Sequence, residues 1–164
     1  MPDKQQSIIL GGLVVAVLST SYLSLINMIC CLGVILGAVV AVWHYTETNS
    51  ITISTGDGAK IGALAAAFGF IVATVVNYVL IAFLDIRHDQ AVGRMMLDMF
   101  KDSMPPEQYD EQLEVLNAPV TIGTVLMSAV WGLVLYPIFG AIGGLIGAKV
   151  FKKGGEEPTE FDED

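Results

Sequence analysis

Few side chains in this sequence are of a kind that does chemistry, and they are scattered. Asp57 sits between two glycines, Gly56 and Gly58, with Lys60 one turn further on. A carboxylate there could hold a cation or a proton. At the head of a long apolar run it is better suited to an N-cap, taking free N–H groups at the positive end of the helix dipole. Asn77 lies inside that run. An amide in hydrocarbon either hydrogen-bonds a neighbouring helix or lines a pathway. Asp57 and Asn77 are therefore the two candidates for a polar pathway. His44 stands between Trp43 and Tyr45. A lone imidazole can carry a proton or a metal, but three ring side chains in a row read as a membrane–water interface.

Cys30 and Cys31 are adjacent, with Cα atoms about 3.8 Å apart. That is below the ordinary disulfide range, so both are expected to be reduced core residues. No second cysteine pair completes a zinc motif. Met95, Met96, Met99 and Met104, near His88, offer soft thioethers of the kind copper(I) takes. Three of the four share a face with Val92 and Phe100, so an adaptable hydrophobic face is the simpler account. HExxH, GxSxG and P-loop motifs are absent. The expectation is a chain that is not an enzyme and that needs no cofactor or metal. Clustering of His44, Glu47 and Asp57 at one interface would reopen the enzymatic reading.

The elements that hold these residues are apolar. Of 164 residues 54% are hydrophobic and only 15% charged, and the mean hydropathy is +0.64. A soluble domain carries about 25% charged residues. The expected class is an all-α integral membrane protein with four transmembrane helices over about 8–22, 27–43, 58–84 and 120–151. The first two are short and form a hairpin broken at Ser19 to Asn27, where hydroxyls and Asn favour caps and turns. A cleaved signal peptide is the rival for the first, but no clear cleavage site follows it. Domain by domain, a polar head at 1–7 precedes a single membrane bundle over 8–153. An acidic tail at 154–164 is disordered by composition.

Small residues recur at a spacing of four. Gly12, Gly33 and Gly37 mark the first two spans, and Gly140, Gly143, Gly144 and Gly147 the last. In lipid, such stripes let backbones approach closely, so these seven glycines are the expected helix-packing residues of a glycine zipper. Pro137 removes one hydrogen bond and predicts a kink or hinge there. Between the third and fourth spans, residues 85–119 read as two amphipathic helices outside the membrane. The first carries the Met face. The second opens at Pro105-Pro106-Glu107, with Tyr109, Leu113 and Leu116 on its apolar side.

The formal net charge is −9. No basic stripe exists for phosphates, so a nucleic-acid partner is excluded. Four spans put both termini on one side with Lys4, Lys60, Lys149, Lys152 and Lys153, against Arg87, Arg94 and Lys101 on the other. That bias favours cytoplasmic termini in a cell membrane, with the helical loop outside.

Four stretches carry a resemblance: Asn27-Met-Ile-Cys-Cys-Leu-Gly33, Gly56-Asp-Gly-Ala59, Met104-Pro-Pro-Glu107 and Gly140 to Lys153. Together they make the chain resemble a family of small, uncharacterised prokaryotic membrane proteins. The resemblance implies a bacterial or archaeal multi-pass protein of unknown function and transfers no catalytic residue. The leading expectation is a non-catalytic helix-packing or interaction module, with the lipid bilayer and either a second copy or another membrane protein as partners. The alternative is a small oligomeric transporter or channel for an ion or small solute, motivated by Asp57, Asn77 and Pro137.

Overall fold

The computed structural model describes residues 3–20, 31–84, 88–118 and 121–152. They form six helices and no strand: α1 (Gln5–Leu18), α2 (Leu32–Asn49), α3 (Thr55–Leu84), α4 (His88–Phe100), α5 (Pro106–Asn117) and α6 (Ile122–Val150). A single 3-10 turn, Lys101–Ser103, follows α4. The expected break at Ser19 to Asn27, Cys30 and the acidic tail fall wholly or largely outside the described residues.

Side chains set several helix ends. Just ahead of α1, Asp3 Oδ1 accepts the Gln5 N–H at 2.9 Å. α1 stops at Leu18, four residues before the expected limit. α2 runs six residues past Trp43, because Thr46 and Asn49 donate back to the carbonyls of Val42 and Tyr45. Ser50 then takes a left-handed conformation, φ 52°, and its N–H and that of Ile51 close the last turn on Glu47 and Thr46. The connector that follows is not simply polar: Ile53 is buried beside Tyr45, Ile61 and Ala148. α6 continues unbroken through Pro137.

α1, α2, α3 and α6 make one bundle. α1 touches α2 and α3, α6 touches the same two helices, and α2 meets α3 across the diagonal. The α3–α6 interface is the largest. Among the described residues only α3 and α6, two helices and not the four expected, are long and apolar enough to cross a membrane, over Thr55–Ile81 and Val125–Val150. α1 is a shorter apolar helix, and the last turns of α2 are polar. At 1.5 Å per residue α1 and α2 are about 21 Å and 27 Å long, against about 45 Å for α3. They flank α3 and α6 only over the half nearer the Lys4 end. Cys31, at the head of α2, packs near Tyr136 and Phe139. Near Ala73 and Gly132 the Phe70 and Tyr136 rings of α3 and α6 lie 4.7 Å apart, and beyond them most large side chains of both helices are exposed. The α4–α5 hairpin lies between α3 and α6 in the chain and packs chiefly on itself.

Candidate functional site

Six of the seven predicted packing glycines abut a neighbouring helix, and the seventh, Gly33, is buried on α2. α3 and α6 meet glycine to glycine. A Cβ on Gly144 would run into the Gly58 carbonyl, with the carbonyl carbon at 2.7 Å. One on Gly140 would strike the Ala66 methyl and come to 2.5 Å from the Gly62 oxygen. Gly143 and Gly147 face α2 instead, at 2.5 Å from the Ile35 oxygen and 2.9 Å from Val42 Cβ. Gly12 abuts Ala65 and Phe68 of α3, Gly37 abuts Val15 and Gly11 of α1, and Gly33 is buried on α2. The stripe Gly140-Gly144-Ala148 is thus filled from within the chain. The sequence reading missed the partner glycines Gly58, Gly62 and Gly69 of α3 and Gly11 of α1. Their signal was present: Gly58 and Gly62 repeat the four-residue spacing of Gly140 and Gly144.

The polar groups gather at the end of the bundle where α1 and α3 begin and α2 and α6 finish. Asp57 is not the N-cap of α3. The helix starts at Thr55, and the cap is Ser54, whose hydroxyl accepts the Asp57 N–H at 3.0 Å. The Asp57 carboxylate takes a hydrogen bond from that same hydroxyl, 3.0 Å, and an ion pair from Lys4 Nζ, 3.1 Å. One helical turn along α1, buried Ser7 shares a 2.9 Å hydrogen bond with His44 Nδ1. His44 and Asp57 therefore come to one end, each engaged by an α1 side chain. What the arrangement does physically is tie α1 to α2 and to α3. Among the described residues no group of three or more His, Cys, Asp or Glu is placed to hold a metal ion.

Asn77 is half-buried on α3 and has no hydrogen-bond partner among the described residues. It lies twenty residues, roughly 30 Å, along α3 from Asp57. The two candidates for a polar pathway do not share a site.

The hairpin is held by polar links on one side. Gln90 Nε2 donates to the Leu116 carbonyl at 3.0 Å, and Arg94 to Asn117 Oδ1 at 2.6 Å. Tyr109 donates to Asp98 at 2.8 Å, and Lys101 lies over the Tyr109 ring at 5.4 Å. The bond to the Asp98 carboxylate raises the Tyr109 pKa above its usual value, because it favours the neutral phenol. Gly93 lets α5 close in: a Cβ there would lie 2.5 Å from Leu116. The Met face expected on α4 is only partly used, since Met95, Met99 and Phe100 stay exposed.

No curated protein and no solved structure matches the chain. A protein-family match covers residues 7–153, which takes in the whole bundle from Ser7 onward together with the hairpin. The chain belongs to that family, DUF4199, a family of proteins of unknown function.

Proposed function

We propose that the chain is a multi-pass, non-catalytic membrane module of prokaryotic type. Four glycine-packed helices sit in the bilayer, and the α4–α5 hairpin stands outside for interaction with a partner protein. The observation that carries this reading is where the large apolar side chains lie. Only 11% of the apolar window of α6 and 22% of that of α3 is buried, whereas the core helix of a soluble protein is mostly buried. Phe83, Tyr78 and Trp131 are 81%, 63% and 62% exposed, while Gly, Ala and Val, with Tyr45, Ile53 and Ile61, fill the interior. At about 25 cal/mol per Å² such a surface is costly in water and costs little in lipid.

In this reading α1 and α2 are two short spans, and the bilayer thins beside them. The lysine bias places both termini in the cytoplasm. The polar groups at the Lys4 end satisfy one another, which supports a structural role for Asp57, Lys4, Ser7 and His44 over a catalytic one. The separation of Asp57 from Asn77 favours the module over the transporter.

Single-cysteine labelling across an intact membrane tests the arrangement. With Cys30 and Cys31 removed, cysteines are placed at Ser103, Ser19 and Thr159. Labelling by an impermeant reagent at Ser103 and Ser19 and protection at Thr159 are expected. Protection at Ser19 alone would reduce α1 and α2 to a re-entrant hairpin. Labelling at both Ser103 and Thr159 would end the four-span reading.

A further inference from the structure

We infer that the open groove between α4 and α5 is a docking site for a basic amphipathic helix of a partner protein. The inference rests on the reading above, in which the hairpin stands outside the bilayer. The groove encloses about 600 Å³. Met96 and Phe100 line its α4 wall, and Gln112, Val115 and Glu111 its α5 wall. No described side chain of α4 or α5 is buried, so the groove stands open among the described residues.

The two rims differ in chemistry. On α4, Met99 lies three residues on from Met96, beyond the groove wall, and is 70% exposed. Methionine is unbranched and polarizable and adapts to varied apolar guests. On α5, Glu107, Glu111 and Glu114 follow one another at i, i+4 and i+7, one acidic stripe alongside Val115, which is 67% exposed. A guest helix with an apolar face toward α4 and lysine or arginine toward α5 complements both.

Charge selects among occupants. Residues 88–118 hold seven acids against two bases. Both bases are engaged within the hairpin, Arg94 by Asn117 and Lys101 by the Tyr109 ring. An anionic lipid surface is repelled by such a face. A symmetric second copy would set the same acidic stripe against itself.

The test uses the full-length protein in nanodiscs of phosphatidylcholine alone. The probe is a synthetic helix of about 18 residues, long enough to be helical, with leucines on one face and lysines on the other. A Leu/Glu peptide is the control. Wild-type discs should bind the Leu/Lys peptide at least about tenfold more tightly than empty discs do, and Met99→Glu should remove about that factor. Glu107→Lys combined with Glu111→Lys and Glu114→Lys should reverse the preference toward Leu/Glu. Equal binding to empty discs overturns the inference, as does a charge-reversed variant that keeps the Leu/Lys preference. A dimer dissolved by Met99→Glu with peptide binding intact also overturns it, in favour of a second copy. Incorporation into discs is measured separately, so lost peptide binding by incorporated protein counts against the groove alone.

Discussion

Gly62→Ala is the sharpest test of the bundle. The added methyl would meet the Gly140 carbonyl oxygen, with Gly144 Cα at 2.8 Å and Gly144 N at 2.9 Å. All three atoms are backbone, so no rotamer change makes room, and α3 and α6 must move apart by several tenths of an ångström. That separation loosens contacts along the largest interface in the molecule. Overpacking of this kind costs about 1–3 kcal/mol, set against the roughly 0.5–1 kcal/mol that alanine gains over glycine inside a helix. The net expectation is destabilisation of up to about 2.5 kcal/mol. Gly123 supplies the contrast. Among the described residues its Cβ would find only Thr121 Oγ1, at 3.8 Å, so Gly123→Ala should keep the helix gain and stabilise. Gly132 falls between, since its Cβ would meet the Phe70 ring, a side chain that can turn aside. The assay is reversible unfolding in mixed micelles by SDS titration, followed by circular dichroism. Gly144→Ala, which meets the Gly58 carbonyl at the same crossing, should cost as much alone and little more on top of Gly62→Ala, because the helices have already separated. If Gly62→Ala proves as stable as Gly123→Ala, or if the two crossing variants add fully, the close backbone approach is refuted.

Two further outcomes follow from local geometry. Ser54→Ala removes the hydroxyl that caps α3 and bonds Asp57, and should cost about 1 kcal/mol, with Ser54→Thr restoring most of it. The hairpin should loosen at high pH. Folding raises the Tyr109 pKa, so its hydrogen bond to Asp98 contributes fully below the ordinary tyrosine value of about 10 and is lost as pH rises through the folded value. Amide exchange in α4 and α5 of the wild type should accelerate across that window relative to Tyr109→Phe, and parallel profiles would show the bond to be without effect.

Much of the architecture was legible along the chain. Long charge-free runs marked α3 and α6, and a 3.6-residue apolar period between them marked α4 and α5. Pro106 in the first turn fixed where α5 begins. Helix ends were harder, because they depend on which side chain reaches which carbonyl. Trp43 looked like a terminus, yet Thr46 and Asn49 carry α2 onward. Asp57 looked like a cap, yet Ser54 holds that place and frees the carboxylate for Lys4.

The sequence by itself determined the helical class, the apolar faces and which helix carries which small residues, since these follow from composition and local spacing. Tertiary structure alone decided what each glycine touches. Every stripe of small residues offers the same close approach, and which two meet depends on the antiparallel register of helices far apart in the chain. That register sets Gly58 and Gly62 against Gly144 and Gly140. The packing of α1, parallel to α3 and antiparallel to α2, likewise brings Lys4 to Asp57 and Ser7 to His44, pairs separated by 53 and 37 positions that no local pattern links.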